Sequence, residues 1–215
     1  MAVASKEKTW GNYIGGEWVA SESGKTFESR NPSNTNELIG EFAASTKADV
    51  DAAIQAASDA AAKWRDTTPI ARANILHKAA EILASRQAEV GRELAREEGK
   101  TLKEGLGETG RAVQILRYYA GDIQQPDGEH YPSANPDTLL YTTREPLGVV
   151  GVITPWNFPI AIPAWKIAPA IAYGNTVVFK PASATPLLAA RFVEALADAG
   201  LPAGVVNLVT GSAST

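Results

Sequence analysis

Three residues at the ends of apolar runs carry the chemistry legible in this chain. Asn157 stands in Pro155-Trp156-Asn157-Phe158-Pro159, Lys180 in Phe179-Lys180-Pro181-Ala182, and Gly211 follows Val205-Val206-Asn207-Leu208-Val209. An asparagine amide can hydrogen-bond an oxyanion without having a charge to lose, and removing one such donor costs about 10²–10³ in rate. A lysine can meet ribose hydroxyls or a phosphate as a point charge. A glycine lets backbone approach a ligand closely. Taken singly, each also reads as an ordinary turn residue, a solvated lysine or a turn glycine. Their common position past strand ends predicts convergence on one crevice, because doubly wound sheets bind ligands outside the carboxyl ends of their strands.

The elements that must position them follow from punctuation and periodicity. Gly148 to Ile153 reads as a fully buried strand and Ile160 to Tyr173 as a helix closed by Gly174-Asn175. Thr176 to Phe179 reads as a strand, Pro186 to Ala199 as a helix closed by Gly200, and Val205 to Val209 as a strand. That is β-α-β-α-β, half of a doubly wound α/β sheet. No GxGxxG fingerprint accompanies it, so spacing alone leaves the ligand open.

Upstream, Asn12-Tyr13-Ile14 and Glu17-Trp18-Val19 flank Gly15-Gly16 as a hairpin. Thr46-x-x-Asp49 is a capping-box pattern, and Thr68-Pro69 pairs a cap with a first-turn proline. Further helices are expected from Gln87 to Gly99 and from Leu102 to Gln124, with Val113, Leu116 and Tyr119 on one face. Thr138 to Thr143 reads as a strand after the break at Pro126. These elements divide the chain into a hairpin and helical part (1–124), a strand element (125–146) and the sheet half (147–215).

Composition removes several function classes. The 215 residues carry a net charge of -4, which gives no footprint for nucleic acid or an anionic membrane. No cysteine is present, which removes disulfides and thiolate metal sites and points to a cytoplasmic setting. Residues 146–215 hold only Lys166, Lys180, Arg191, Glu194 and Asp198, yet repeated prolines argue for buried strands and helices over a membrane span. His77 and His130 have no histidine or acidic cluster beside them, so no metal site is expected. Glu97-Glu98 and Glu104 read as a solvated helical face.

Read together, Pro155-Trp156-Asn157-Phe158-Pro159, Lys166, Gly174-Asn175-Thr176-Val177-Val178, Lys180-Pro181 and Gly200-Leu201-Pro202-Ala203-Gly204-Val205-Val206-Asn207 resemble the aldehyde dehydrogenase superfamily. The resemblance covers nearly the whole chain. It implies a Rossmann-like cofactor domain and an oligomerisation strand element over 125–146. Its chemistry would be attack of a cysteine on an aldehyde, hydride transfer to NAD(P)⁺ and hydrolysis of the thioester by a glutamate-activated water. Asn157 would steady the oxyanion. Ile153, Thr154, Pro155 and Trp156 would line the cofactor cleft, Lys180 would hold the ribose or a 2′-phosphate, and Gly211 would lie against the adenine. Ser183 stands where NAD-preferring members often carry a carboxylate, which favours NADP⁺ or dual use over strict NAD⁺.

Arg111 occupies a helical position that in this family faces the substrate tunnel, where it could clamp a distal carboxylate. Phe158 and Trp165 would wall the same tunnel. With Gly107-Glu108-Thr109-Gly110-Arg111, Arg117-Tyr118-Tyr119-Ala120-Gly121 and Thr143-Arg144-Glu145-Pro146-Leu147-Gly148-Val149-Val150, the chain most resembles the 2,5-dioxopentanoate (α-ketoglutarate semialdehyde) dehydrogenases. Family members are homo-oligomers acting on small aldehydes. The cysteine and glutamate that the resemblance implies are not found in this sequence, so the chain by itself is expected to be inactive. Rival readings are a truncated nucleotide-binding remnant and a half-enzyme that needs a complementary chain.

Overall fold

The computed structural model describes residues 9–214. Strands β1 (Thr9–Trp10), β2 (Asn12–Ile14), β3 (Glu17–Val19), β4 (Thr26–Arg30) and β5 (Leu38–Ala43) come first. Helices α1 (Lys47–Arg65), α2 (Pro69–Ser85), α3 (Gln87–Glu98) and α4 (Leu102–Asp122) follow. A short ribbon of β6 (His130–Tyr131) and β7 (Leu140–Tyr141) leads into β8 (Val149–Ile153), α5 (Ala161–Ala172), β9 (Thr176–Lys180), α6 (Pro186–Asp198) and β10 (Val206–Leu208). The expected β-α-β-α-β unit is present, and β8, β9 and β10 are parallel and adjacent.

The hairpin forms as its glycines require. Gly15 and Gly16 sit at φ 60° and 93°, the pair of positive values that a two-residue turn between twisted strands needs. Its strand β2 then pairs antiparallel with β10 through Tyr13 and Leu208, extending the sheet to the order β3-β2-β10-β9-β8. A second sheet, β1-β5-β4, was not foreseen. The strand expected over 138–143 is confined to Leu140–Tyr141, paired with His130–Tyr131.

Alternation along β9 sorts the two faces of the main sheet. Thr176 donates its hydroxyl to the Ala57 carbonyl of α1 at 2.9 Å, so Thr176, Val178 and Lys180 face α1. Val177 and Phe179 are fully buried on the other face, against α5 and α6, with α2, α3 and α4 stacked beyond. β8 corrects the expectation of a fully buried strand. It is an edge strand, and α1 lies mainly over β9 and β10, so Val149 is 39% and Ile153 75% exposed.

Charged side chains of the helical layer close the ends of the helices on the sheet. Glu97 accepts the Leu187 and Leu188 N–H groups at 2.8 and 3.1 Å, capping α6 from a different helix. Glu108 accepts the Ile160 and Ala161 N–H groups at 3.0 and 3.2 Å, capping α5. Arg72, itself buried, donates to the carbonyl of Ala172 at the end of α5 and to those of Trp64, Arg65 and Thr67 at the end of α1. The expectation that Glu97-Glu98 form a solvated face is therefore wrong: Glu97 is 2% exposed, and the Glu98 side chain is 9% exposed and pairs with Lys100. Glu104 does lie at the surface, where it completes a capping box with Thr101.

Burial pushes the Glu97 carboxyl up to about 8, while its bonds from Leu187, Leu188 and Ser29 pull the other way. The folded chain then holds this proton more tightly than the unfolded one. Its contribution to stability is full below about pH 4.5 and is lost as the pH rises through about 8. The unfolding free energy of the native chain, measured in urea against Glu97→Gln, is expected to fall between about pH 5 and pH 8; a difference that rises over that range would refute the assignment. Glu97→Ala leaves two buried N–H donors unpaired at about 1–3 kcal/mol each, so it should destabilise by about 2–5 kcal/mol.

Candidate functional site

A cavity of about 530 Å³ opens on the α1 face of the sheet, over β8 and the carboxyl ends of β9 and β10. Its walls are apolar: Val50 and Ile54 from α1, Val149 and Ile153 from β8, Val178 and Val209. Lys180 enters it from the end of β9. Its Nζ donates to the Pro181 carbonyl at 2.9 Å and makes no ion pair among the described residues. Burial lowers its pKa. An ammonium held in an apolar cleft without a counter-charge suits an anionic or hydroxyl-rich ligand.

Neighbouring groups share this rim. The Thr154 N–H donates to the Lys180 carbonyl at 3.3 Å, joining the ends of β8 and β9. The Thr154 hydroxyl is buried and has no hydrogen-bond partner. Ser183 donates to the Gly211 carbonyl at 2.5 Å, so two residues singled out in the sequence meet directly. Gly211 has φ 135°, which L side chains rarely adopt, and its neighbours Thr210 and Ser212 line the cavity. Trp156 turns to a smaller cleft of about 240 Å³ that it shares with Ser183, Glu97 and Glu98.

The usual phosphate site of such a sheet is the N-terminus of the helix after the first strand. Here Glu108 already holds the first amides of α5, and Glu97 those of α6. A pyrophosphate placed there would meet a buried carboxylate. Lys180, on the α1 face, is a cation of this cavity without an ion pair among the described residues.

Asn157 stands apart from that cavity. It lies on the turn from Thr154 to Ile160, where Pro155, Trp156, Asn157 and Phe158 are all exposed. The turn is fastened to the corner between α3 and α4. Lys100 Nζ donates to the Asn157 carbonyl at 3.1 Å, pairs with Glu108 at 2.6 Å, and stacks 4.5 Å above the Phe158 ring.

α4 and α5 run side by side in the same direction. Glu108 meets the start of α5, and Asp122 accepts the Tyr173 hydroxyl at its end. Arg111 lies three residues beyond Glu108 on α4, and Trp165 lies five residues beyond Ile160 on α5. Arg111 is exposed and makes no hydrogen bond or ion pair among the described residues. Trp165 is 47% and Phe158 43% exposed. Ile153, Lys180, Ser183 and Gly211 gather at the carboxyl ends of the strands, whereas Asn157 and Phe158 lie on the turn and Arg111 and Trp165 on the exposed surfaces of α4 and α5. Lys100, Glu97 and Glu108 escaped the sequence reading. Glu108 left a signal, since it falls on the apolar face of α4 with Gly105, Ala112 and Val113.

Residues 18–215 match the aldehyde dehydrogenase family. The chain belongs to that family. It is 49% identical over 214 residues to the alpha-ketoglutaric semialdehyde dehydrogenase of Bacillus subtilis, a match covering 100% of this chain and 44% of that protein. Among solved structures, an E. coli NADP dependent enzyme superposes with a TM-score of 0.92 at 36% identity, over 95% of this chain and 42% of the other. An NAD-dependent aldehyde dehydrogenase from Sinorhizobium meliloti gives 0.92 at 33% identity, over 95% and 41%. The chain spans less than half the length of the curated relatives it matches. No helix among the described residues is long and apolar enough to cross a membrane.

With its charged form disfavoured by burial, Lys180 should be half-acetylated by acetic anhydride at a lower pH than N-acetyl-lysine methyl ester. Peptide mass spectrometry after a pH series would read this, and a midpoint at or above the standard's would contradict the desolvated geometry.

Proposed function

We propose that this chain is the cofactor- and substrate-binding part of an enzyme that oxidises an aldehyde bearing a distal carboxylate, with 2,5-dioxopentanoate as the type substrate. The observation that carries the reading is the exposed Arg111 guanidinium, without an ion pair among the described residues, on α4, the helix that packs against the Trp165-bearing α5. A planar guanidinium meets a carboxylate with two parallel hydrogen bonds. Trp165 and Phe158 offer apolar walls between that anchor and the turn. The similarity to a semialdehyde dehydrogenase supports the same substrate class.

The Asn157 side-chain amide donates to the oxygen that becomes an oxyanion, a role requiring a fixed dipole and no proton transfer. Bound NADP⁺ or NAD⁺ supplies the hydride acceptor. In this reading Ile153 walls the cofactor cleft, and Thr154, Pro155 and Trp156 follow it along the chain at its edge. Lys180 neutralises ribose-phosphate charge in the apolar cavity, and Gly211 gives backbone room beside it. Ser183 presents no negative charge toward a 2′-phosphate, which favours NADP⁺ or dual use. This sequence contains no cysteine, so the nucleophile is not one of its residues. Exposed Tyr131, Leu139, Leu140 and Tyr141 on the β6–β7 ribbon support an association role for 125–146 within a homo-oligomer.

In protein that turns over, Arg111→Leu is expected to raise KM for 2,5-dioxopentanoate by about 10–150-fold, the loss of a charge-assisted pair of about 1.5–3 kcal/mol, with a neutral aldehyde of similar length little affected. An unchanged KM for the acidic substrate would remove the carboxylate clamp. Ser183→Glu should raise the NAD⁺/NADP⁺ ratio of kcat/KM at least about tenfold, because like charges then face each other in a partly desolvated site.

A further inference from the structure

Asn157 has no rigid element of its own. It lies four residues beyond β8 and four before α5, on a turn whose residues from Pro155 to Phe158 are exposed. An amide dipole that stabilises a transition state must be held in place before the reaction, because a small displacement already reduces the rate strongly. Something outside the turn must therefore hold it.

Lys100 meets that requirement. Its side chain is 13% exposed and that of Glu108 2%, so the pair is largely shielded from water. Three contacts converge on the ammonium from the turn and from α4: the Asn157 carbonyl at 3.1 Å, the Phe158 ring at 4.5 Å and the Glu108 carboxylate at 2.6 Å. Glu98 adds a longer ion pair at 3.4 Å. Glu108 in turn accepts the Ile160 and Ala161 N–H groups through its other oxygen. Lys100 grips the turn at Asn157 and Phe158, and Glu108 grips it at Ile160 and Ala161. Both anchors stand on the α3–α4 corner, where Gly99 at φ 90° ends α3 and turns the chain so that Lys100 points back over the turn.

We infer that Lys100, held by Glu108, is a positioning residue for Asn157: it fixes the peptide from which the oxyanion donor projects. This rests on the oxyanion role proposed for Asn157. Lys100 touches no reacting atom in this scheme. Its three donors and fixed charge orient the Asn157 carbonyl, and with it the χ1 origin of the amide. A methionine of similar length would fill the space and donate nothing.

Two readouts separate this from a purely structural role. In ¹⁵N-labelled chain, the Asn157 side-chain amide signal, assigned by its loss in Asn157→Ala, is expected to shift and broaden in Lys100→Met while the fold stays intact by circular dichroism. If removal of one partner leaves Glu108 too exposed to fold, Lys100→Met/Glu108→Gln removes both charges and keeps an acceptor for the α5 amides. An unmoved Asn157 signal in whichever variant folds would overturn the proposal. In protein that turns over, Lys100→Met should lower kcat about 10–100-fold with KM changed less than about threefold. In the Asn157→Ala background the same substitution should cost little further, because both act through one dipole. Full additivity of the two losses would overturn the positioning role. If Asn157→Ala leaves kcat unchanged, the oxyanion reading itself has failed, while the amide signal still decides whether Lys100 holds the turn.

Discussion

Buried charge at helix ends is the constraint on which the rest of this structure depends. α5 and α6 connect the parallel strands, and each leaves unpaired N–H groups at its start and carbonyls at its finish. The loops around them supply few partners of their own. Thr185, at the cap position of α6, leaves its hydroxyl unpaired, and Ile160, at the cap of α5, has no side-chain acceptor. The partners come from the helical layer instead: Glu108 and Glu97 at the two starts, Arg72 at the end of α5. The Glu108 carboxylate and the Arg72 guanidinium each meet a helix dipole of the opposite sign, which offsets part of the cost of taking them out of water, while Glu97, with its pKa raised to about 8, caps α6 as a carboxyl group.

This arrangement explains both the sheet's rigidity and the location of its ligand chemistry. Carboxylates standing on the first amides of α5 and α6 deny those amides to a phosphate. The remaining route to the carboxyl ends of the strands is the α1 face, where β8 is left partly uncovered and Lys180 has no counter-ion. The exposed valine and isoleucine of β8, costly for an isolated edge strand, become the apolar floor of the cavity. Val50 and Ile54 of α1 face Val149 and Ile153 of β8 and Val178 of β9 across this space.

The parts legible in the sequence were those governed by local rules. Apolar runs ended by Gly174-Asn175 and Gly200, the Gly15-Gly16 turn, and Thr68-Pro69 define their elements within a few residues of chain, and the structure reproduces them. β4 and β5 were not legible. Thr26–Arg30 carries one large apolar residue, and it is a strand because Phe27 packs across from Phe42 and the backbone finds partners there. β8 was misjudged for a related reason: a Val-Val-Gly-Val-Ile run reads as buried on both faces, and only the placement of α1 decides otherwise. In the candidate site, Asn157, Lys180 and Gly211 could be singled out because strand ends locate them. The residues that hold them could not, since Lys100 and Asn157 are 57 positions apart in the chain.

The turn from Pro155 to Pro159 also acts as a partition. It separates the end of β8, beside the cavity with Lys180, from the start of α5, the helix that carries Trp165. A reaction that passes a hydride from substrate to cofactor needs the two ligands to meet across this segment at a fixed separation. A flexible turn would let that separation vary and would spend binding energy on ordering it. Its two prolines restrict φ at either end, yet they cannot determine how the peptides between them are oriented. Lys100 and Glu108 fasten this segment from outside, through the Asn157 carbonyl and the Ile160 and Ala161 N–H groups. The buried pair therefore links the stability of α5 to the geometry between the two halves of the site, so a change that loosens the cap of α5 should also loosen the Asn157 turn.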